Sequence, residues 1–489
     1  LRLNIFLLFL ALFAITTAGH IFTIDSYLNY AVARSLGSDG SLAIPRFMMT
    51  VEGRDGHHYS KLGIGQSVAV LPFYLVGNLV EHYAAGNQAF TAYSREFAIP
   101  HDSGRIRAEP QTLIRISDED GARVFFATLT NAFVTAGLCL MFWLVLGRFG
   151  LSWAGALWGT MLLAFSTPAW IYARDLFSEP LFALSLVGAF YFLAAPSKAD
   201  GADGSPRRRL AWAAFFTSTG ILARMSFLPI AGILAAYIIV TSGDRRAGIR
   251  QAATYLAYCI PVVLVIALLN LNRFGSVTHT GYHTAFDKGF SLPLANGLRW
   301  NLFSSYRSLF IYAPPVLLFF LGAGGFARRY RAQLWLIAAI AGYVLVVYSK
   351  WWAWHGGWCW GPRFLVPLIP LILLPGLVVI GHGRRWLLAP AVALGALGFV
   401  VQLGAVLINY TAAYDYWIKI GRLDWADAGI QNFSPITTHL KALTATSPGS
   451  YDLWIVQAAR QGGAAWFWLA GFGAVAGVTL VRLLRKERR

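Results

Sequence analysis

Charge is what this chain has least of. Only 13% of its 489 residues are Asp, Glu, Lys or Arg, while 57% are hydrophobic and the mean hydropathy is +0.55. A soluble domain of this length needs far more charge to cover its surface, so a freely soluble enzyme is excluded. Cysteine is nearly missing too. Cys139, Cys259 and Cys359 stand far apart, two of them inside apolar runs, where the thiol serves as a small hydrophobe. That excludes a disulfide framework and a zinc-ligand spacing. No internal repeat is visible, which weighs against a transporter built from inverted halves. The first apolar run, Leu3 to Ile21, has no small-residue cleavage site and many others follow it, so a retained helix is expected rather than a signal peptide. The chain begins with Leu, and its natural start is expected slightly upstream.

What is present is a succession of apolar runs close to the roughly 20 residues that cross a bilayer. Spans are expected at 3–22, 122–146, 152–167, 179–195, 210–223, 226–241, 252–271, 308–325, 333–349, 365–381, 387–409 and 463–481. The pair around Arg224 reads either as two crossings or as a re-entrant hairpin. The expected fold class is therefore an all-α polytopic membrane protein with about 11–13 transmembrane helices, one domain over residues 1–489.

The net charge of +18 invites a nucleic-acid reading, and the location of the charges excludes it. With the amino terminus inside, the inner loops and tail hold 19 basic residues against four acids, among them Arg207 to Arg209, Arg328, Arg329 and Arg331. The remaining 21 basic and 18 acidic residues fall outside. This is the positive-inside pattern of a multi-pass protein of the cytoplasmic (inner) membrane with both termini cytoplasmic. Three large segments then face outward, 22–121, 272–307 and 410–462, with a short fourth at 350–364. Within the first, Ile64 to Val80 reads as an amphipathic helix on or dipping into the interface. The linker Pro196 to Pro206 reads as flexible and cytoplasmic.

Polar groups that could do chemistry gather at the outer edge. Asp25, in T-I-D-S-Y-L-N-Y just past the first span, is either a helix cap or a functional acid. In G-H-H-Y-S-K-L-G-I-G-Q, Lys61 suits a lipid phosphate or snorkels to headgroups, with Tyr59 beside it. W-I-Y-A-R-D-L-F-S-E-P packs Arg174, Asp175 and Glu179 between two spans. The two acids are four apart and would share a helical face, although Glu179 could simply cap the span and Arg174 pair with Asp175. Arg224, Arg273, Arg307, Lys350 and Arg363 are outer-edge cations, each a headgroup anchor alone or part of a phosphate clamp if they converge. K-W-W-A-W-H-G-G-W-C-W-G-P-R-F adds five tryptophans and His355. An interfacial belt accounts for the tryptophans, but paired glycines and a histidine favour a site that stacks on a sugar or walls an isoprenoid chain.

The order of these pieces resembles the C-type glycosyltransferases (GT-C fold), in particular bacterial relatives of the protein O-mannosyltransferases and of the lipid A aminoarabinose transferase. The matching residues are Asp25, Tyr59-Ser60-Lys61-Leu62-Gly63, and Tyr172-Ala173-Arg174-Asp175 with Ser178-Glu179-Pro180-Leu181. They continue through Leu222-Ala223-Arg224, Asn272-Arg273-Phe274-Gly275-Ser276 with Thr280-Gly281-Tyr282, and Leu309-Phe310-Ile311-Tyr312-Ala313-Pro314. Trp354-His355-Gly356-Gly357-Trp358 with Gly361-Pro362-Arg363-Phe364 completes the set. No single piece is specific; the ordered set spans nearly the whole chain. The resemblance implies a large first outer loop with interfacial helices, an extracytoplasmic active site and a polyprenyl-phosphate-linked sugar donor. The acceptor would be a glycan, lipid or protein hydroxyl, and transfer would invert the anomeric centre. Asp25 would match the catalytic base, Lys61 the lysine on the lipid phosphate, and Asp175, or less closely Glu179, the second outer-loop acid. Tyr59, Arg174, Arg224, Arg273, Tyr282, Arg307, His355, Trp358 and Arg363 are the further candidates for substrate and phosphate contacts. S-K-L-G-I-G departs from the proline-rich lysine segment of the aminoarabinose transferase. No metal-ligand set is expected, although a divalent cation at the acids stays open.

Three other functions stay open at the level of sequence. A flippase or transporter of a lipid-linked sugar would need charge buried in broken helices, and these spans carry almost none. An O-antigen ligase or polymerase would rest on the 410–462 loop, which offers Lys419, Arg422 and His439 without an evident constellation. A non-catalytic structural subunit would have little reason to keep Asp25.

Overall fold

The computed structural model describes residues 1–47, 49–83, 121–196, 205–282, 288–411, 413–414, 434–460 and 464–487. Most of the Pro196 to Pro206 linker, with Lys198, Asp200 and Asp203, lies outside these residues, as do Lys419 and Arg422 of the 410–462 segment.

The described residues are mostly helical. The longer helices are α1 (Arg2–Ile15), α2 (Ile24–Asp39), α3 (Ile64–Tyr83), α4 (Gly121–Arg148), α5 (Trp153–Phe165) and α6 (Glu179–Leu193). There follow α7 (Pro206–Ala223), α8 (Leu228–Thr241), α9 (Arg245–Phe274), α10 (Leu294–Phe303) and α11 (Leu318–Lys350). The last are α12 (Ile369–Gly381), α13 (Leu388–Leu407), α14 (Pro435–Ala445) and α15 (Ala464–Glu487). Local chemistry sets many of the boundaries. Ser152, Ser205 and Asp244 cap α5, α7 and α9 through their side chains, and Gly275 ends α9 in the left-handed conformation.

Every expected span overlaps helix, and among the described residues seven segments are long and apolar enough to cross a membrane. They are 64–83, 121–148, 245–274, 314–350, 363–381, 388–407 and 466–485, with shorter apolar helices at 2–15, 153–165, 179–193 and 225–241. The outward faces agree with that environment. Leu264, Leu268, Trp335 and Phe320 are each more than half exposed, a surface that lipid covers and water would not. Inside, helices close in on small residues: a Cβ on Gly322 would stand 2.5 Å from the Gly376 Cα, so α11 and α12 touch backbone to backbone.

Three expectations change in detail. The first span is helical only to Ile15, because Thr16 turns its hydroxyl back onto Leu12 and Phe13 and Gly19 takes a positive φ against Trp454. The spans expected at 308–325 and 333–349 form one helical run interrupted at Tyr330 (φ −130°, ψ 47°), beside Arg328, Arg329 and Arg331. The segment between α2 and α3 also holds a small antiparallel sheet that the sequence reading did not include. Its strands are β1 (Ala43–Ile44), β2 (Thr50–Glu52) and β3 (His58–Ser60), with β3 central and Tyr59 opposite Ala43 and Val51. Helix α3, expected at the interface, is long and apolar enough by composition to cross as well. It packs along the first half of α4, with Gln66 bonded to Asn131 and Glu81 accepting from the Ala122 amide.

Candidate active site

Four charged side chains from four helix ends form one chain, buried except for the edge of Arg224. Asp25 lies in the first turn of α2, Glu179 opens α6, Arg224 follows α7 in extended conformation, and Arg363 begins the short turn that leads into α12. Arg363 donates through Nε to Glu179 Oε1 (2.6 Å), through Nη1 to the Gly356 carbonyl (3.1 Å) and through Nη2 to Asp25 Oδ2. Arg224 donates to the same Glu179 Oε1 (2.6 Å) and to Ser178 Oγ (3.2 Å). Both acids sit at helix amino termini, where exposed amides favour negative charge. Two guanidinium groups and two carboxylates balance, which is what allows the set to be buried.

Capping does not account for either acid. Thr23 provides the cap of α2, and Ser178 precedes α6 without a side-chain cap bond. The expected helical face shared by Asp175 and Glu179 does not form, because α6 begins only at Glu179. Asp175 instead lies one step behind Asp25. Its Oδ2 accepts from Thr23 (2.9 Å) and Tyr410 (3.3 Å), and its Oδ1 accepts from the Leu176 amide (2.8 Å). Burial pushes the Asp175 carboxyl up, against the hydrogen bonds from Ser26, Leu176, Thr23 and Tyr410.

Lys61 and Tyr282 complete the edge of the site. The Lys61 ammonium lies 5.0 Å from the centre of the Tyr282 ring, and the phenol is within electrostatic reach of Arg224, Asp25 and Arg363. Two glycines bring Lys61 this close. A Cβ on Gly63 would meet the Ala223 carbonyl at 2.4 Å, and one on Gly65 the Ala223 amide at 2.5 Å. The K-L-G-I-G segment thus lies directly on the end of α7, next to Arg224.

The other candidates take different places. Arg174 turns away from Asp175 to the Thr16 and Ala405 carbonyls and to Asp452, whose Oδ1 also accepts from His20 at 2.6 Å. Arg273 donates to the Leu269 carbonyl and Asn270, and its own carbonyl accepts from Arg54. Tyr59 bonds to Asp55 (2.6 Å), and burial followed by that bond raises its phenol to about 12. Tyr59 and Arg273 therefore tie the sheet to the end of α9. Arg307 is fully buried between the Tyr306 and Tyr414 rings and donates to the Cys359, Gly361 and Gly357 carbonyls. It braces the glycine turn at positive φ that presents Arg363. Within that turn His355 Nδ1 accepts from the Gly357 amide (3.0 Å), and Trp358 stacks on Tyr414.

Sequence reasoning missed Asn131. Its amide NH2 shares two hydrogens among the Tyr172 (3.2 Å), Phe177 (2.8 Å) and Asp175 carbonyls and so holds the loop that carries Asp175. The signal was available: an asparagine inside an apolar span must find partners. Among the described residues no group of three or more His, Cys, Asp or Glu is placed to hold a metal, and Asp25 is engaged by a guanidinium instead.

No family model matches the chain, and no curated protein matches it in sequence. Among solved structures it is similar to ArnT from Cupriavidus metallidurans bound to undecaprenyl phosphate, at 13% identity and a TM-score of 0.47, covering 98% of this chain and 76% of that one. The apo state of the same protein gives 12% identity and a TM-score of 0.48, with 96% and 74% covered. The archaeal oligosaccharyltransferase AglB from Archaeoglobus fulgidus, in complex with an inhibitory peptide and a dolichol-phosphate, gives 11% and 0.40, with 94% and 55% covered. Similarity at this level assigns neither a residue nor an activity to the chain.

Proposed function

We propose that this protein is a membrane glycosyltransferase of the GT-C kind, moving a sugar from a polyprenyl-phosphate donor to an acceptor hydroxyl at the extracytoplasmic face. The observation that carries the reading is the ion-paired set in which Arg363 holds Asp25 and shares Glu179 with Arg224, with the Lys61 ammonium and the Tyr282 ring at its edge. A base and an anion-binding edge at one place are what displacement of a phosphate requires.

In this reading Asp25 accepts the proton of the acceptor hydroxyl as its oxygen attacks the anomeric carbon. The bond from that carbon to the phosphate oxygen breaks, and polyprenyl phosphate leaves with the bonding electrons. Lys61 and the partly exposed edge of Arg224 offset the charge that develops on the leaving phosphate. A single displacement of this kind inverts the anomeric centre. The residues fit ion-pair stabilisation of the phosphate better than a divalent cation, because the Asp25 carboxylate already faces Arg363.

The test is transfer by purified protein from a panel of polyprenyl-phosphate sugars, with Asp25→Asn beside the wild type. Turnover in the wild type, with a loss of about 10²-fold or more in the variant and donor binding retained, supports the reading. Transfer that survives in the variant removes Asp25 from the chemistry. No transfer from any donor, with lipid movement in liposomes instead, replaces the reading with a flippase.

A further inference from the structure

Three consecutive residues, Arg174, Asp175 and Leu176, hold both ends of the connector between α1 and α2. Helix α1 stops at Ile15, so the Thr16 and Thr17 carbonyls lie beyond its hydrogen-bond ladder and need partners from elsewhere. Arg174 Nε donates to the Thr16 carbonyl (2.7 Å), and the Trp454 amide donates to the Thr17 carbonyl (2.9 Å). At the far end Asp175 accepts from Thr23, the cap of α2, and the Leu176 amide donates to Ser26 Oγ (3.0 Å). Asp25 stands between Thr23 and Ser26, so its place in space follows from where the connector is fastened.

Arg174 joins this connector to two further parts of the chain. Its Nη1 donates to the Ala405 carbonyl (3.2 Å) near the end of α13, and its Nη2 donates to the carbonyl and the carboxylate of Asp452. The Asp452 carboxylate offsets the buried guanidinium and also meets His20, within the connector. Asp452 in turn donates its amide to the Leu407 carbonyl (2.7 Å). One planar fork thus gathers carbonyls from residues 16, 405 and 452, which a point charge on a flexible stem cannot do. We propose that Arg174 is a positioning residue: it fixes the Thr16–Thr23 connector, and through it Asp25, and ties both to the 434–460 segment at Asp452. The inference rests on the glycosyltransferase reading for what Asp25 does, and on the geometry alone for how the connector is held.

The test separates the fork from the charge. Arg174→Lys keeps a cation at the position and loses the fork. Amide hydrogen exchange in peptides spanning 16–27 should then quicken about 10-fold, while peptides of α12 keep their protection. In the transfer assay kcat should fall about 10-fold or more and the KM for the donor should stay within about 3-fold, because Lys61 and Arg224 are held by other segments. Added to Asp25→Asn, the same change should cost less than about 2-fold further, since an effect exerted through Asp25 has nothing left to act on. Wild-type turnover in Arg174→Lys, exchange at 16–27 unmoved, or losses that multiply in the double variant would each overturn the proposal. Should Arg174→Lys fail to fold, Asp452→Asn takes its place, with the same pattern expected at about 3-fold and the same overturning results. A wild type that transfers nothing defeats the glycosyltransferase reading, and exchange at 16–27 then decides alone whether Arg174 holds the connector.

Discussion

Arg363 donates to Asp25 across 338 positions of sequence, and it does so from a turn whose geometry depends on glycines at positive φ. The same guanidinium serves Glu179 and the Gly356 carbonyl, so three directions of its planar fork are used at once. A lysine offers one point charge and no fork. Arg363→Lys is therefore expected to lower stability by about 3 kcal/mol and to abolish most activity, because two buried carboxylates lose their shared partner. Thermal unfolding in detergent measures the first effect, and the transfer assay measures the second.

Lys61 is expected to act on the donor more than on the chemical step. Lys61→Gln should raise the KM for a polyprenyl-phosphate sugar about 10-fold or more, the value of one charge-assisted contact, with a smaller change in kcat. An equal KM in both proteins would leave the phosphate to Arg224. Initial rates across donor concentration decide.

Asn131 holds three carbonyls of the loop that carries Asp175, and its own carbonyl oxygen accepts from Gln66 (2.9 Å). Asn131→Ala leaves those groups buried and unpaired, which should cost about 2–4 kcal/mol. Asn131→Asp should be at least as harmful, since carboxylate oxygens would face backbone carbonyls. Both are read from the unfolding midpoint. A change under about 0.5 kcal/mol would mean that the loop is held from elsewhere.

His355 provides a pH test. Burial, with the Arg307 charge second, holds its imidazole down to about 3. Unfolded histidine takes a proton near pH 6.5 and the folded one does not, so the unfolded state binds the extra proton between these values. Stability is then complete above about pH 6.5 and falls as pH drops towards 3, with a slope near 1.4 kcal/mol per pH unit from this group. His355→Gln should flatten that part of the profile by about one proton. Unfolding midpoints of the two proteins between pH 7 and pH 4 make the comparison.

Topology is open to chemical labelling, because the native cysteines are all buried and give little background. A cysteine replacing the exposed Asp55, on the turn between β2 and β3, should react with an impermeant maleimide in intact cells. One replacing Arg246, at the start of α9, should react only after permeabilisation. The reverse result would invert the orientation read from the basic loops.

The arrangement of spans was legible because it depends on composition along the chain. Twenty or so apolar residues bury themselves in a bilayer wherever they occur, and loops rich in arginine mark one side. The same local reasoning singled out Asp25, Lys61, Glu179, Arg224 and Arg363 as candidates, since charge beside an apolar run is conspicuous. It could not tell which of these residues meet. Arg174 and Arg307 looked no different from Arg363 in the sequence, yet one fastens the end of α1 to Asp452 and the other braces a glycine turn. The small sheet escaped as well, because strands of two and three residues carry no periodicity long enough to read.

The sequence by itself determined that this is a multi-pass helical protein with charged residues beside its apolar runs, because hydropathy and charge act residue by residue. Only the tertiary structure decided that Asp25, Glu179, Arg224 and Arg363 form one network and that Asp175 stands behind it. Ion pairing depends on distances of a few ångströms between side chains far apart in the chain, and no spacing along the sequence encodes those distances.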